Sequence, residues 1–300
     1  MADDRHLRAA LGTYPHTRAL KTGALSNADV TFDFVEVEPI HKAFAPMVRR
    51  AAYDLSELAI VTALQALDHG RPIVLLPVVV AARMQRGCLI ALSSKSTIDP
   101  RDLVGKRIGV RAYAQTTGMW VRAALREDHG LDVEDFQWVT HDPAHVEEYR
   151  DPAFVIHENT GKGLVDQLRG GDIDAAILGN DLPKDDTFTP VIRDHRAVDQ
   201  AWVARHGFMP INHVVAVSEE AFATKPRAVR AAYELLGRAA AEAKRPAGSP
   251  DVTLFGTDTL RAPLRFLVEE CRRQQLIKRS LDVDEILAPA AALLEGVAIP

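Results

Sequence analysis

Strand–loop–helix units recur along this chain, and the clearest lies between residues 103 and 130. Arg107–Val110 has the composition of a strand, a short loop follows it, and a helix begins at Thr116 and Thr117. Gly130 stands where a left-handed residue would end that helix. The segment GGDIDAAILGND repeats the pattern as a turn and a strand with a polar end. This rhythm predicts an α/β fold with mainly parallel strands.

Apolar periodicity predicts further elements on both sides of this unit. Strands are predicted at Thr31–Val37, Ile73–Val80 and Leu89–Leu92, and helices at His41–Ala51, Leu164–Arg169, Lys225–Ala243, Thr259–Gln275 and Asp282–Leu294. The helix that starts at Thr259 has Leu260, Leu264, Leu267 and Cys271 on one face, which predicts that this face is buried.

A chain of 300 residues suits one large domain or two lobes of ordinary size. We predict two lobes, residues 1–92 together with 214–300, and an inserted lobe of residues 93–213. The chain would cross between the lobes near Ala91–Lys95 and again near Phe208–His213. Because ligands of such sheets bind outside the carboxyl ends of the strands, a central cleft is the expected site.

Charge and composition exclude several classes of function. The formal charge of −5 comes without a basic stripe, so nucleic acid is not expected as a partner. The two cysteines, Cys88 and Cys271, indicate neither a disulfide framework nor a metal site. The charged N-terminus lacks an apolar signal core, and the run Pro72–Ala82 is too short to span a bilayer. We therefore expect a cytoplasmic protein without membrane attachment.

The segment GFMPINHVVAV, residues 207–217, places a histidine beside the second predicted crossover. Pro210 cannot donate to a sheet ladder, so it marks the beginning of a strand. His213 would then lie at a strand end that faces the cleft, and histidine is the side chain best suited to proton transfer near neutral pH. A structural histidine in the crossover is the alternative.

Several polar groups follow predicted strands and would face the same cleft. Arg18 follows Tyr14 and Thr17 in GTYPHTRAL, and Arg83 and Arg86 follow an apolar strand. Arginines at strand ends can bind a carboxylate with two parallel hydrogen bonds. Solvated surface arginines are the alternative at all three positions.

The start of the predicted helix at residue 116 is a second candidate anion site. Tyr113, Thr116 and Thr117 occupy its loop and first turn, where free N–H groups and the helix dipole favour anions. Threonine N-capping is the alternative. Asn180 and Asp181, at the polar end of ILGND, would face the same cleft from the other lobe. Asp54 and Glu57 lie in a turn-like segment, where carboxylates that only stabilise the turn are the alternative.

No sequence motif indicates hydrolysis, nucleotide binding or a cofactor. The chain has neither a GxSxG nucleophile elbow nor an HExxH zinc helix, and GKGLVDQLRGG lacks the spacing of a phosphate loop. His213 could share a metal with Asp54 or Glu57, but no ligand spacing requires one. The expected partner is a small anionic ligand. Binding alone would not need His213, whereas proton transfer would.

Segments along nearly the whole chain resemble the 4,5-dihydroxyphthalate decarboxylase-like family. They are YPHTRAL (14–20), YDLSELA (53–59), RMQRG (83–87), LVGKRIGV (103–110), MWVRAAL (119–125), GDIDAAI (171–177), MPINHVV (209–215) and FGTDTLRAPLRFLVEECRRQQL (255–276). The resemblance implies a two-lobed type 2 periplasmic-binding-protein fold with a central ligand cleft and two crossovers between the lobes.

The resemblance extends to single residues. The family's early tyrosine, threonine and arginine correspond to Tyr14, Thr17 and Arg18, and its acidic pair corresponds to Asp54 and Glu57. Its two arginines match Arg83 and Arg86, and its late histidine matches His213.

The chain also departs from the family pattern at several places. Gly87 stands where the family has a histidine, and Gln85 stands where it has an aromatic residue. The stretch after Trp138 is shorter, and Gly179–Asp181 replaces a more basic pattern. These are the positions at which the substrate would differ.

The resemblance implies a cofactor-independent decarboxylase or related lyase that acts on a hydroxylated aromatic carboxylate. Arg18, Arg83 and Arg86 would hold carboxylates, and His213 would protonate the ring with Asp54 or Glu57 setting its tautomer. Alternatives are a solute-binding protein that delivers an organic acid to a transporter, or another biosynthetic enzyme of this fold. A homo-oligomer is possible.

Overall fold

A computed structural model describes residues 4–94, 99–179, 181–243 and 252–297. In these ranges the strands are β1 (His6–Ala10), β2 (Thr31–Phe34), β3 (Leu55–Ala59), β4 (Ile73–Ala82), β5 (Leu89–Leu92), β6 (Arg107–Val110), β7 (Gln137–Thr140), β8 (Val155–His157), β9 (Ala175–Ile177), β10 (Phe188–Pro190), β11 (Ile211–Ser218) and β12 (Leu254–Phe255). The helices are α1 (Pro15–Lys21), α2 (Phe44–Arg50), α3 (Ile60–Asp68), α4 (Thr116–His129), α5 (Leu164–Gly170), α6 (His195–His206), α7 (Glu219–Thr224), α8 (Pro226–Glu242), α9 (Thr257–Arg273) and α10 (Val283–Leu293).

The strands form two six-stranded sheets, which confirms the predicted α/β class. The first has the order β12–β4–β11–β3–β1–β2 and the second the order β10–β5–β9–β6–β7–β8. The prediction of mainly parallel strands is wrong, because five of the described pairings are parallel and five antiparallel. Strands β5 and β11 each follow a crossover and run against both of their neighbours.

The first crossover occurs earlier than predicted. Strand β4 pairs in the first sheet and β5 in the second, so the chain changes sheets between Ala82 and Leu89. It returns between Pro190 and Ile211, and His213 therefore belongs to the first sheet. Sequence could not place these boundaries, because an apolar run such as Leu89–Leu92 suits a buried strand of either sheet.

Helix α4 begins and ends where the sequence predicts. It starts at Thr116, and Gly130 ends it with a φ of 68°, a left-handed conformation that glycine adopts without a steric penalty. Helix α9 buries Leu260, Leu264, Leu267 and Cys271, as its apolar face predicts. Among the described residues, no helix is long and apolar enough to cross a membrane.

One apolar core continues from the first sheet into the second. Trp120 of α4 stacks on Phe266 of α9 with ring centroids 5.5 Å apart, and its indole N–H donates to the carbonyl of Ile211 at 2.7 Å. Helix α9 follows a strand of the first sheet, yet it packs on a helix of the second. Large apolar contacts of this kind restrict the relative motion of two lobes.

Candidate functional site

One edge of the first sheet brings the predicted site residues together. Strands β1, β3 and β4 end at this edge, and the antiparallel strand β11 begins there. His213 is paired in register with Ala59 at the end of β3 and with Ala81 near the end of β4. The carboxyl ends of strands are the usual ligand-binding edge of such sheets.

A buried carboxylate is hydrogen-bonded to His213. Glu57 has no exposed surface, and its Oε1 atom lies 2.6 Å from Nδ1 of His213. The hydroxyl of Tyr14 donates to the same oxygen at 2.7 Å, and the N–H of Gly12 donates to Oε2 at 2.8 Å. Burial alone would raise the pKa of Glu57, but the hydrogen bonds from His213, Tyr14 and Gly12 outweigh it and lower that pKa.

The ionised Glu57 determines the tautomer of His213. A carboxylate can only accept hydrogen bonds, so Nδ1 of His213 must carry a proton and donate it. The Nε2 atom, on the other side of the ring, is then left for a ligand. The side chain of His213 is 23% exposed, which leaves this histidine accessible while its partner is buried.

Tyr14 and Thr17 hold Glu57 in place. The Thr17 hydroxyl donates to the carbonyl of Gly12 at 2.7 Å and accepts from the N–H of Tyr14 at 2.8 Å. Burial and the charge of Glu57 raise the pKa of Tyr14, which keeps its hydroxyl protonated as a donor. A Cβ atom on Gly12 would lie 2.6 Å from the Tyr14 ring, so this turn requires glycine.

Arg83 lies at the end of β4 and reaches the start of α4. Its guanidinium donates to the Thr117 hydroxyl at 3.0 Å and to the carbonyl of Gly179 at 3.3 Å. Both partners are neutral, so these bonds orient the guanidinium without neutralising it. Its backbone N–H donates to the carbonyl of Pro210 at 3.0 Å, just before β11. Arg83 and the N-terminus of α4 can together bind an anion.

The hydroxyl of Thr116 is directed toward the other lobe. Thr116 lies in the first turn of α4, and its oxygen accepts from the N–H of Val61, in the first turn of α3, at 3.4 Å. The starts of α3 and α4 therefore meet between the two sheets. This contact makes Thr116 part of the junction between the lobes.

Two predicted ligand-binding residues have structural roles instead. Arg86 is buried and donates to Asp128 at 2.6 Å and to Asp199 at 2.9 Å. Tyr113 is fully buried, its hydroxyl donates to the carbonyl of Gln274 at 3.0 Å, and Arg122 lies over its ring. The residues that accept these hydrogen bonds, Asp128, Asp199 and Gln274, are distant in sequence, so the bonds could not be inferred from the residue types.

Three further predicted residues are not joined to His213. Asp54 accepts from the N–H of Arg8 and from Lys225; it precedes β3, about 16 Å along the strand from the cleft edge. Glu57, not Asp54, is the partner of the histidine. Arg18 is exposed on α1. Asn180 lies outside the described residues.

Sequence reasoning missed a second group of residues, His41, Arg111 and His145, on the other side of His213. The ring of Phe44 contacts both His213 and His145 edge-on, with centroids 5.2 and 5.6 Å away. Arg111 lies 3.4 Å from Nε2 of His41. One signal was available: Arg111 directly follows the predicted strand Arg107–Val110, as Arg83 follows β4.

Both missed histidines are held in the neutral form. Burial, and then the charge of Arg111, lowers the pKa of His145 to about 4. The same two causes lower the pKa of His41. In the described part of the chain, no group of three His, Cys, Asp or Glu side chains could hold a metal ion.

Arg83 and Arg86 should respond differently to replacement by methionine. Arg86→Met leaves Asp199 buried without its cation, which should lower the free energy of unfolding by about 3 kcal/mol or more and leave the affinity for a small carboxylate ligand unchanged. Arg83→Met removes only bonds to neutral groups, so stability should change by about 1 kcal/mol while affinity falls about tenfold or more. Urea denaturation and calorimetric titration measure both. Lost affinity with unchanged stability in Arg86→Met would contradict the structural role.

His145 should make the protein less stable in mild acid. Between its ordinary pKa of 6.5 and its folded pKa of about 4, only the unfolded chain binds the proton, so stability falls as the pH falls through this window. From pH 7 to pH 5, wild type should lose up to about 2 kcal/mol more than His145→Gln. Urea denaturation at both pH values measures the difference, and equal losses would contradict this role.

Two proteins similar in sequence to this chain carry the same name. No family model matches the chain. It is similar to a protein named 4,5-dihydroxyphthalate decarboxylase from Comamonas testosteroni, with 26% identity over 94% of this chain and 90% of the relative. A protein of the same name from Pseudomonas putida is 31% identical over 57% of this chain and 69% of the relative.

Solved structures share the fold at low sequence identity. The alkanesulfonate-binding protein SsuA from Xanthomonas axonopodis pv. citri matches with a TM-score of 0.58 and 13% identity, over 94% of this chain and 97% of SsuA. The desulfurization enzyme DSZB matches with a TM-score of 0.58 and 16% identity, over 96% and 98% of the two chains. Both a binding protein and an enzyme thus have this periplasmic-binding-protein fold, so the fold alone does not distinguish them. The two sequence relatives do, and the chain belongs to the 4,5-dihydroxyphthalate decarboxylase family, a family of enzymes.

Proposed function

We propose that the protein is a cofactor-independent decarboxylase of a hydroxylated aromatic carboxylate similar to 4,5-dihydroxyphthalate. The observation that carries the proposal is the pair formed by buried Glu57 and accessible His213 at the ligand-binding edge, 2.6 Å apart. The names of the two relatives indicate the substrate class. A solute-binding protein would need cations for an organic acid, but it would not need a histidine with a carboxylate behind it.

Loss of carbon dioxide from an aromatic ring requires a site for the electron pair of the broken bond. In the proposed reaction, Nε2 of His213 gives its proton to the ring carbon that bears the carboxylate. A ring hydroxyl in the para position supplies the electrons and loses its own proton, so the ring becomes a dienone. The carbon–carbon bond then breaks, carbon dioxide leaves, and the electron pair restores the aromatic ring as a phenolate. The phenolate and the histidine each regain a proton from water.

Glu57 would act through His213 in this reaction. Its negative charge stabilises the protonated imidazole before transfer, and its position keeps Nε2 directed at the substrate. The hydrogen bonds from Tyr14 and Gly12 would keep Glu57 ionised when the histidine loses its proton. We therefore assign Glu57 as a positioning residue and His213 as the proton donor.

Arg83 would hold a substrate carboxylate. Its bonds to Thr117 and Gly179 orient the guanidinium at the start of α4, and its backbone is bonded to the residue that leads into β11. A carboxylate bound there would lie beside the strand that carries His213. Arg86 is not assigned this role, because Asp128 and Asp199 already bind it.

Replacement of His213 tests the proposal directly. The Asn side chain in His213→Asn retains a donor close to the position of Nδ1 but has no group at Nε2. Turnover should fall by at least about a hundredfold, and phthalate affinity should stay within a few-fold; His213→Ala should behave in the same way. Carbon dioxide release and calorimetry measure the two quantities. His157→Asn, at the end of β8, is the control and should retain turnover. Normal turnover in His213→Asn would refute the proton-donor role.

Glu57→Gln tests the positioning role. The amide keeps the volume and can accept from Tyr14, but it no longer offers an anion to His213. We expect turnover to fall by orders of magnitude, together with loss of the downfield Nδ1 proton resonance that a histidine–carboxylate bond gives in NMR spectra. A variant that keeps this resonance, or keeps full turnover, would exclude the assigned role.

A further inference from the structure

We infer that Arg111 binds the ring hydroxyl of the substrate and stabilises the phenolate that forms during decarboxylation. This inference rests on the proposed function and assigns the end of the substrate that is farther from Arg83. Arg111 follows β6, at the edge of the second sheet where the parallel strands β7 and β9 also end.

The position of Arg111 follows from the order of the strands. Gly179, which contacts Arg83, follows β9, Arg111 follows β6, and His145 lies in the segment after β7. Strands β9, β6 and β7 are neighbours in the second sheet. Neighbouring strands are about 4.8 Å apart, so the chain at Arg111 leaves the sheet about 5 Å from the segment of Gly179 that binds Arg83. A separation of about this size suits opposite substituents of one benzene ring.

His213 lies between the two ends of this cleft. On one side, the backbone before β11 is bonded to Arg83. On the other side, the ring of Phe44 makes edge-to-face contacts with His213 and His145, with ring centroids 5.2 and 5.6 Å apart. Arg111 lies 3.4 Å from Nε2 of His41, three residues before Phe44. The segment 41–44 therefore joins Arg111 to His213 on this side of the cleft.

The two neighbours of Arg111, His41 and Asp142, orient its guanidinium without removing its positive charge. Its Nη1 atom lies 3.4 Å from Nε2 of His41; because the lowered pKa keeps His41 neutral, this nitrogen can accept from the guanidinium. Asp142 lies 3.3 Å from Nε, but 57% of its side chain is exposed, so water screens that pair. A neutral imidazole and a solvated carboxylate position the guanidinium without cancelling its charge.

This arrangement suits a hydroxyl that becomes an anion during the reaction. When His213 protonates the ring carbon, the para hydroxyl loses its proton, and after carbon dioxide leaves the oxygen carries the negative charge. A guanidinium that already faces this oxygen stabilises the charge where it develops. The side chain of Arg111 is 41% exposed, so the hydroxyl proton can pass to water. Arg111 would thereby select substrates with a para hydroxyl.

A comparison of two ligands tests the inference. Phthalate has carboxylates only, whereas 4,5-dihydroxyphthalate adds the hydroxyls; both are titrated by calorimetry in the His213→Asn background, which should not consume the second ligand. Arg111→Met should weaken 4,5-dihydroxyphthalate about ten- to a hundredfold and leave phthalate within about twofold. Arg169→Met, which removes a half-exposed cation of the same lobe, is the matched control and should change neither affinity.

A spectroscopic titration provides a second measurement that a purely structural role would not affect. The absorption change that marks ionisation of the bound hydroxyl should occur at a lower pH in the presence of Arg111 than in Arg111→Met, and Arg111→Lys should lie between them. Equal weakening of both ligands, or unchanged ionisation of the bound hydroxyl, would overturn the inference. If wild type releases no carbon dioxide from 4,5-dihydroxyphthalate, the proposed function fails instead, and the binding comparison still decides whether Arg111 recognises the hydroxyl.

Discussion

The candidate site depends on one buried carboxylate. Glu57 is inaccessible to solvent, and an isolated anion there would be unstable without hydrogen-bond donors. Three donors from two parts of the chain supply this stabilisation: the hydroxyl of Tyr14 and the N–H of Gly12 in one turn, and Nδ1 of His213 on β11. The turn before α1 and the start of β11 carry the donors, and β3 carries Glu57, so all three segments must be in place before the tautomer of His213 is fixed.

The junction between the lobes is the second requirement, because residues from both sheets line the cleft. Arg49 of α2 donates to the carbonyls of Ala144 and His145 in the facing lobe, and Trp120 joins α4 to β11. These contacts accompany an apolar core that extends through both sheets. A solute-binding protein uses a similar fold to open and close around its ligand. The extensive packing between these lobes favours a preformed cleft, in which catalytic groups from both sides keep their spacing.

Much of the fold could be predicted, because local signals define its elements. The apolar face of α9, the start of α4 at Thr116 and its end at Gly130 all follow from composition and turn chemistry. Strand direction and the first crossover could not be predicted in this way. Strand β5 is as apolar as its neighbours, and only its pairing with β9 and β10 shows that it belongs to the second sheet and runs against them.

For the site, the sequence by itself determined which residue types stand at strand ends: Pro210 placed His213 at the beginning of a strand, and Arg83 followed another. Only the tertiary structure decided which of these groups keep a free charge. Arg86 and Arg83 are three residues apart, yet Asp128 and Asp199 neutralise the first, while a hydroxyl and a carbonyl orient the second. The physical reason is that the availability of a charge depends on its burial and its partners, and those partners come from distant parts of the chain.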